Sequence, residues 1–301
     1  HAGQLAVQHT NGKKEKKIYL TLANGKITSL TDANKGRVSV TSGVEANKQD
    51  DDELAYKPAN NVASTVAPEI NSISTPAGQQ FTVTLADGSR VRLNAASSIR
   101  FPVYFNSRKR EVYLTGEAFF EVAANPASPF IVHVNGVEVQ ALGTTFNIKA
   151  YPEENVAKAT LVSGAVNVKL RADVKSLATG QQFLYDRSNN RSWVRGVNTG
   201  TVTAWKEGYF AFEKESIADI MMEIGRWYNM DVVFSKGDTH KTFNGKILRY
   251  DHIQDVFKRL ELTGAMNFRI ENKKIVVTIP ERYQPKNHVL FKSYSIVTFY
   301  F

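Results

Sequence analysis

Short alternating segments between residues 75 and 170 constrain the fold of this chain more than any other feature. In residues 81–93, apolar and polar side chains alternate on both sides of Asp87-Gly88. Asp and Gly tolerate the backbone angles of a tight turn, so this pattern predicts a β-hairpin. Comparable segments follow up to residue 170, with Asn135-Gly136 and Ser163-Gly164 as further turns. We therefore predict an all-β domain over residues 71–200, a sandwich or solenoid-like fold of many short antiparallel strands.

Residues 1–70 are predicted to form an N-terminal lead-in with one hairpin and a linker. The hairpin is predicted around Asn24-Gly25, which separates two short alternating runs. Residues 31–70 are rich in polar side chains and contain an acidic run at residues 50–53. We expect a few short strands and linker there.

Residues 201–280 show a helical period as well as strands. Ser216 with Asp219, and Asp251 with Gln254, have the spacing of helix-capping pairs. Each pair accompanies an apolar stripe at helical spacing, formed by Ile217, Ile220, Met221 and Ile224 and by Ile253, Val256, Phe257 and Leu260. The predicted order is β-α-β-β-α-β-β. We expect a small α+β domain whose two βαβ halves share one small sheet.

The C-terminal tail, residues 281–301, is strongly apolar and aromatic. It is too short to cross a bilayer as a helix and too apolar to remain exposed as a strand. We expect it to pack on the body of the protein or on another copy.

Composition excludes several classes of site. The chain has no cysteine, which excludes disulfides, thiolate metal sites and cysteine nucleophiles. The histidines lack paired-ligand spacing, so we expect neither a metal nor a cofactor. No apolar run reaches the roughly 18 residues of a spanning helix. The net charge of +9 and the basic cluster at residues 13–17 leave nucleic-acid binding as one alternative, but no nucleic-acid-binding motif accompanies them, and we expect no nucleic-acid partner.

No catalytic constellation is visible in the sequence. Glu117 and Glu121 have equal parity on a predicted strand and share a face, which is the arrangement of an acid/base pair. We favour the interpretation that both lie on the solvent face while Phe120 and Val122 enter the core, because no other convergent catalytic groups accompany them. We predict that the protein is not an enzyme.

Candidate partner-binding residues lie at the start and in the first helix of the C-terminal region. Trp205 and Tyr209 belong to an aromatic entry, which we interpret as interdomain packing rather than a ligand platform. Trp227 continues the apolar stripe and is expected in the core. Arg226 and Tyr228 beside it are the better exposed candidates for contact with a partner.

Several segments of the chain resemble the FecR family of anti-sigma factors, and most closely its Bacteroidetes branch. They are TPAGQQ at residues 75–80, LADGSRVRLNAASS at 85–98, LTGEAFFEV at 114–122, PFIV at 129–132, VQALGTTFNIKAY at 139–151 and LVSGAV at 161–166. LANG at residues 22–25 resembles the lead-in of that branch, and residues 205–279 are similar to its C-terminal domain, which is related to the short secretin and TonB N-terminal module. The tail after Pro280 departs from the family pattern.

The resemblance implies a regulatory role. Family members span the inner membrane of diderm bacteria, hold an extracytoplasmic-function sigma factor through a cytoplasmic part, and sense the signalling domain of a TonB-dependent outer-membrane transducer. This chain would be the periplasmic portion, attached to the membrane only through an anchor that it lacks.

We therefore predict a non-enzymatic, periplasmic signal-sensing protein whose small C-terminal sheet docks the transducer by strand addition. The alternative from another class is a carbohydrate-binding β-module, with Trp193, Trp205 or Tyr209 as the sugar platform.

Overall fold

A computed structural model describes residues 16–58, 68–106, 108–249 and 252–281 of the chain. The strands up to residue 102 are β1 (Tyr19–Thr21), β2 (Ile27–Ser29), β3 (Gly36–Thr41), β4 (Val44–Asp50), β5 (Glu53–Pro58), β6 (Ile70–Ser74), β7 (Phe81–Thr84), β8 (Arg90–Leu93) and β9 (Ser98–Pro102). They are followed by β10 (Arg110–Glu121), β11 (Phe130–Val134), β12 (Val137–Ala141), β13 (Thr145–Ala150), β14 (Val156–Ser163), β15 (Val166–Leu170), β16 (Asp173–Leu177), β17 (Gln181–Asp186) and β18 (Arg191–Gly196). We call these eighteen strands the β domain.

The β domain is one long sheet that curls back on itself through β10. The C-terminal half of β10 lies in sheet I, whose order is β3-β4-β5-β7-β8-β10-β13-β14-β17-β18. The N-terminal half lies in sheet II, whose order is β2-β1-β6-β9-β10-β11-β12-β15-β16. Gly116 stands where β10 passes from one sheet to the other, and a side chain there would overlap Ser97. The mainly β fold and the hairpins around Asp87, Asn24 and Asn135 are confirmed.

The core lies between the two sheets. Its fully buried side chains include Phe120 and Phe146, whose rings stack at 4.9 Å. The lead-in also contributes, because Leu20, Leu54 and Tyr56 belong to the same core. Residues 36–58, for which only a few short strands were expected, form three antiparallel strands that extend sheet I through a parallel pairing of β5 with β7.

The C-terminal domain follows through a short connection. It is formed by α1 (Thr199–Thr203), a 3-10 turn (Ala204–Glu207), β19 (Tyr209–Ser216), α2 (Ile217–Tyr228), β20 (Asp231–Lys236), β21 (Thr242–Leu248), α3 (Ile253–Leu262), β22 (Asn267–Glu271) and β23 (Lys274–Thr278). From β19 onward the order is the predicted β-α-β-β-α-β-β. Ser216 caps α2, since its Oγ accepts a hydrogen bond from the Asp219 amide at 3.1 Å.

Two expectations for this domain were wrong or fall outside the described residues. The two halves do not share one sheet: β19 pairs with β21, and β20, β23 and β22 form a separate three-stranded sheet. The two sheets are joined through the helices, whose apolar stripes meet in one core with Phe210, Ile275 and Val277. Asp251, the expected cap of α3, lies outside the described residues, and His252 stands at that helix's N-cap.

Two further expectations concern the ends of the chain. Residues 282–301, the greater part of the apolar tail, lie outside the described residues, as do Lys13 and Lys14 of the basic cluster. Lys17 of that cluster forms an ion pair with Asp32 at 2.9 Å. In the part of the chain that the structure describes, no helix has the length and apolar character needed to cross a membrane.

Candidate functional interface between the two domains

The outer face of sheet I carries two rows of side chains on which the C-terminal domain packs. Side chains alternate between the faces of a strand, so directly paired residues on neighbouring strands line up on one face. The first row consists of Thr82, Arg92, Phe119, Asn147, Thr160, Gln182 and Arg195. The second consists of Glu117, Lys149, Lys158, Leu184 and Trp193. Asn147 and Lys149 on β13 and Lys158 on β14 contact the second domain directly, and Glu117, Gln182 and Arg195 line the cleft beside it.

Glu117 is the buried carboxyl at the centre of this surface. It is only 4% exposed, and its two oxygens accept hydrogen bonds from Asn94 Nδ2 at 2.8 Å and Asn147 Nδ2 at 3.0 Å. Burial raises the pKa of the Glu117 carboxyl above its ordinary value, against the opposing effects of Lys149 and the two amides. Glu121 is exposed. The expectation that both carboxyls lie on the solvent face was therefore wrong for Glu117, because the second domain covers that part of the face.

Arg249 links the C-terminal domain to this carboxyl. Its side chain is 1% exposed, and its guanidinium lies over the rings of Phe210 and Trp227 at 4.8 and 4.6 Å. Nη1 donates to Asn94 Oδ1 at 3.0 Å, and Nη2 donates to Glu223 Oε1 at 2.9 Å. Since Asn94 in turn donates to the central carboxyl, a continuous hydrogen-bonded chain runs from helix α2 into sheet I.

Trp205 joins the same hydrogen-bond network on the other side of Glu117, through Asn147. Its ring is 3% exposed, its Nε1 donates to Asn147 Oδ1 at 3.1 Å, and its carbonyl accepts from Gln80 Nε2 at 2.9 Å. The next residue, Lys206, places its ammonium 3.7 Å from the centre of the Phe119 ring. The structure thus places Trp205 in interdomain packing, as the sequence interpretation had it. A ring this deeply buried cannot stack on a sugar.

Arg226, expected to be exposed, is instead a clamp between the domains. Its side chain is 7% exposed and lies 3.4 Å from the ring centre of Tyr151. Nη2 contacts Glu154 Oε1 at 2.7 Å and Glu153 Oε1 at 3.0 Å. The expected exposure was wrong because the helix face that carries Arg226 packs on the loop after β13. Tyr228 is half-buried and donates to a backbone carbonyl at 3.0 Å; desolvation raises its pKa to about 12.

Two lysines face each other across this surface. Lys149 and Lys158 are directly paired on β13 and β14, an arrangement in which like charges destabilise a sheet. The C-terminal domain supplies Glu215, whose Oε1 lies 2.6 Å from Lys158 Nζ, and Glu223, 3.7 Å from Lys149 Nζ; Glu154 lies 3.4 Å from Lys149 Nζ. Burial would raise the pKa of Glu215, but the two lysines outweigh it and lower that pKa. Docking of the domain therefore neutralises a repulsion within the sheet.

Tyr209 lines a cleft that remains open beside these ion pairs. The cleft has a volume of about 330 Å³, with a floor of sheet I residues and walls from residues 196–205 and β19. The Tyr209 ring faces Lys246, whose Nζ lies 4.1 Å from the ring centre. That face of the ring is therefore occupied. No observation favours Trp205 or Tyr209 as a sugar platform.

The loop before β7 also packs against the C-terminal domain, at Trp227. Gly78 has a φ of +76°, and a Cβ at this position would lie 2.7 Å from the Trp227 carbonyl oxygen. Ala95, in the loop after β8, is part of the core of the C-terminal domain. Both positions fall within the segments that carry the family resemblance. These segments therefore form strands of the β domain and also the loops that contact the C-terminal domain.

Sequence reasoning missed Asn94, Asn147 and Arg249. Asn147 occupies a polar position in β13 and Asn94 directly follows β8, and continued alternation predicts the solvent face for both. Only the covering domain makes them buried, and periodicity within the strand contains no information about it. Nothing in the sequence around Arg249 indicates that its side chain is buried; it is distinguished only by its position shortly before the second helical stripe. Across residues 16–58, 68–106, 108–249 and 252–281, no cluster of His, Asp and Glu could hold a metal ion.

Comparisons with known proteins agree with this architecture. The family model described as "FecR protein" matches residues 71–167, and that described as "FecR, C-terminal" matches residues 209–277. Two crystal structures of a candidate anti-sigma factor from Parabacteroides distasonis ATCC 8503, at 1.65 and 2.50 Å resolution, are each 29% identical to the chain. Each covers 70% of this chain; the shares of their own chains are 99% and 100%, and the TM-scores are 0.66 and 0.67. A comparison with curated proteins found no match.

Proposed function

The chain belongs to the FecR family of anti-sigma factors, and we propose that it is the periplasmic sensing portion of a transmembrane regulator of this kind. In this proposal the C-terminal domain binds the signalling domain of a TonB-dependent outer-membrane transducer. The β domain passes the signal toward an anchor in the inner membrane, and a cytoplasmic part holds the extracytoplasmic-function sigma factor.

The observation that carries the proposal is the way the C-terminal domain is seated. The face of α2 that carries Arg226, together with Arg249 and Trp205, is fastened to the β domain by buried polar contacts. In the part of the chain that the structure describes, no hydrogen bond or ion pair joins the three-stranded sheet to the β domain. A force or displacement applied to that sheet is therefore transmitted to the β domain through a defined set of hydrogen bonds.

The same sheet offers a docking edge. Among the described residues β22 pairs only with β23, which leaves its second edge available for strand addition. Ile270 on β22 is 42% exposed, and Val233 on β20 is 43% exposed. Strand addition depends mainly on backbone groups, so a partner site of this kind requires no distinctive side chain. This accounts for a sequence without a visible active site, and for the proposal that the protein is not an enzyme.

The test is direct binding between the purified protein and the signalling domains of TonB-dependent transducers encoded in the same genome, measured by calorimetry. We expect one of them to bind, and Ile270→Lys to weaken binding because a charge is placed on the docking edge. Val174→Lys is the matched control, since Val174 is 57% exposed on β16 in the β domain. If the folded protein binds none of these domains, the proposed relay is wrong.

A further inference from the structure

Strand β18 is an edge of sheet I with a distinctive set of side chains. Within the described residues it pairs only with β17. Arg191, Trp193 and Arg195 alternate along it and therefore share the outer face of the sheet. Both arginines are exposed, and the Trp193 side chain is 43% exposed. An exposed edge with unpaired backbone groups is a template for another strand.

The cations at this edge differ from those deeper in the interface. Lys158, on the same face, is neutralised by Glu215 of the C-terminal domain. Arg195, farther out, donates Nε and Nη2 to Gln182 Oε1 at 3.1 and 2.9 Å, which is a neutral amide. It lines the interdomain cleft together with Lys214, Glu213 and Glu215, and it helps to lower the pKa of the Glu215 carboxyl. Lys158 and Arg195 thus have a carboxylate of the C-terminal domain nearby, whereas Arg191 at the far end of β18 lies opposite Asp186, whose carboxylate is engaged by Ser188 and Asn189.

We propose that the β18 edge is a docking surface for an extended acidic segment of a partner protein. The segment adds as a strand beside β18, with acidic side chains toward Arg191 and Arg195 and an apolar side chain on Trp193. Main-chain hydrogen bonds supply the affinity, and the alternating side chains supply the specificity. This surface lies on the β domain and is separate from the sheet proposed to bind the transducer, so neither proposal depends on the other.

Charge favours this occupant over a second copy of the chain. Two copies of β18 paired edge to edge would place arginines of one strand beside arginines of the other, and like charges directly opposite are destabilising. The phosphates and bases of a nucleic acid could contact the arginines and the indole. They would leave the N–H and C=O groups along the β18 edge without a neighbouring strand. The exposed backbone edge therefore favours a peptide.

The probe is a synthetic nine-residue peptide that alternates glutamate with valine and threonine. Trp205 and Trp227 are 3% and 7% exposed, so quenching of indole fluorescence by acrylamide reports mainly on Trp193. We expect the peptide to protect Trp193 from quenching and to bind more weakly as salt rises. We expect Arg191→Glu with Arg195→Glu to weaken binding by more than about tenfold, because like charges then face each other.

Three controls keep the outcome decisive. Lys175→Glu, on the exposed edge strand β16 of sheet II, should leave binding unchanged. The same peptide with lysine in place of glutamate should not bind. A peptide of equal charge interrupted by prolines should also fail, because proline cannot donate to a strand ladder. Equal binding of the proline peptide, unchanged binding by the double arginine variant, or tighter binding of an oligothymidine than of the acidic peptide would overturn the proposal.

Discussion

Replacing Arg249 with methionine is the most informative perturbation of the interface. Methionine keeps much of the side-chain length over the rings of Phe210 and Trp227 but removes both charged hydrogen bonds, at 3.0 Å to Asn94 and 2.9 Å to Glu223. Glu223 would then lose its nearest cation while its side chain stays 18% exposed. Removing one partner of a buried pair costs about 3–5 kcal/mol when the remaining charge is left uncompensated, and we expect the lower end of that range because Lys149 Nζ still lies 3.7 Å from Glu223.

The measurement is the free energy of unfolding of Arg249→Met in urea, together with its melting temperature. For a chain of this size we expect a fall in Tm of roughly 10 °C. We also expect the C-terminal domain to unfold ahead of the β domain, because Arg249 joins the two. Adding Glu223→Gln to this variant should recover part of the loss, since no unpaired charge is then buried.

Arg269→Met is the matched control. Arg269 pairs with Glu271, but its side chain is 70% exposed, and an exposed ion pair contributes at most about 1 kcal/mol. If Arg249→Met costs no more than this control, or if Glu223→Gln restores nothing, the hydrogen-bonded chain does not fasten the two domains and the reasoning fails.

Three further predictions concern the same surface. The pKa of Glu117 is raised above 4.5, so in the folded state the carboxyl stays protonated to a higher pH than in the unfolded state. The stability that this protonated carboxyl contributes is therefore lost as the pH rises through the folded pKa. The free energy of unfolding in urea, measured from pH 4 to 8, should therefore rise for Glu117→Gln relative to the wild type as the pH rises. Curves that stay parallel would contradict the raised pKa. A double-mutant cycle of Lys158→Met and Glu215→Gln should give a coupling of about 1.5–3 kcal/mol, as for a hydrogen bond to a charged group, and a value near zero would mean the 2.6 Å contact is not formed. Gly78→Ala should destabilise by about 1–3 kcal/mol more than Gly88→Ala in thermal melts, because both have a positive φ but only the former would press its Cβ against the other domain.

The sequence predicts the strands of this protein better than their assembly. Alternation around Asp87-Gly88 places the hairpin correctly because a period of two and a tight turn are local properties. The parallel pairing of β5 with β7 is not local, and nothing in residues 53–58 indicates which strand they join. The helical stripes likewise predict α2 and α3 but not the separation of five strands into two sheets.

The candidate site was predicted least well, for a related reason. Glu117 and Arg226 are charged residues at positions that periodicity assigns to solvent, and both are covered by contacts between distant parts of the chain. Trp205 was placed correctly because a large aromatic residue at a domain entry is buried under most arrangements. For a charged residue the outcome depends on whether a partner is available, and the partner lies in another domain.

A polar interface also has a property that an apolar one lacks. Apolar surfaces can slide and still exclude water, whereas the Glu117 carboxyl and the two terminal nitrogens of Arg249 hydrogen-bond to particular atoms of Asn94, Asn147 and Glu223. A small displacement of the C-terminal domain would unpair several of these groups together, and each unpaired buried group is costly. Intermediate positions are therefore disfavoured relative to a seated domain or a separated one whose polar groups are hydrated. An interface with two preferred states converts a graded pull on the three-stranded sheet into a discrete change at the β domain. The proposed relay requires this behaviour.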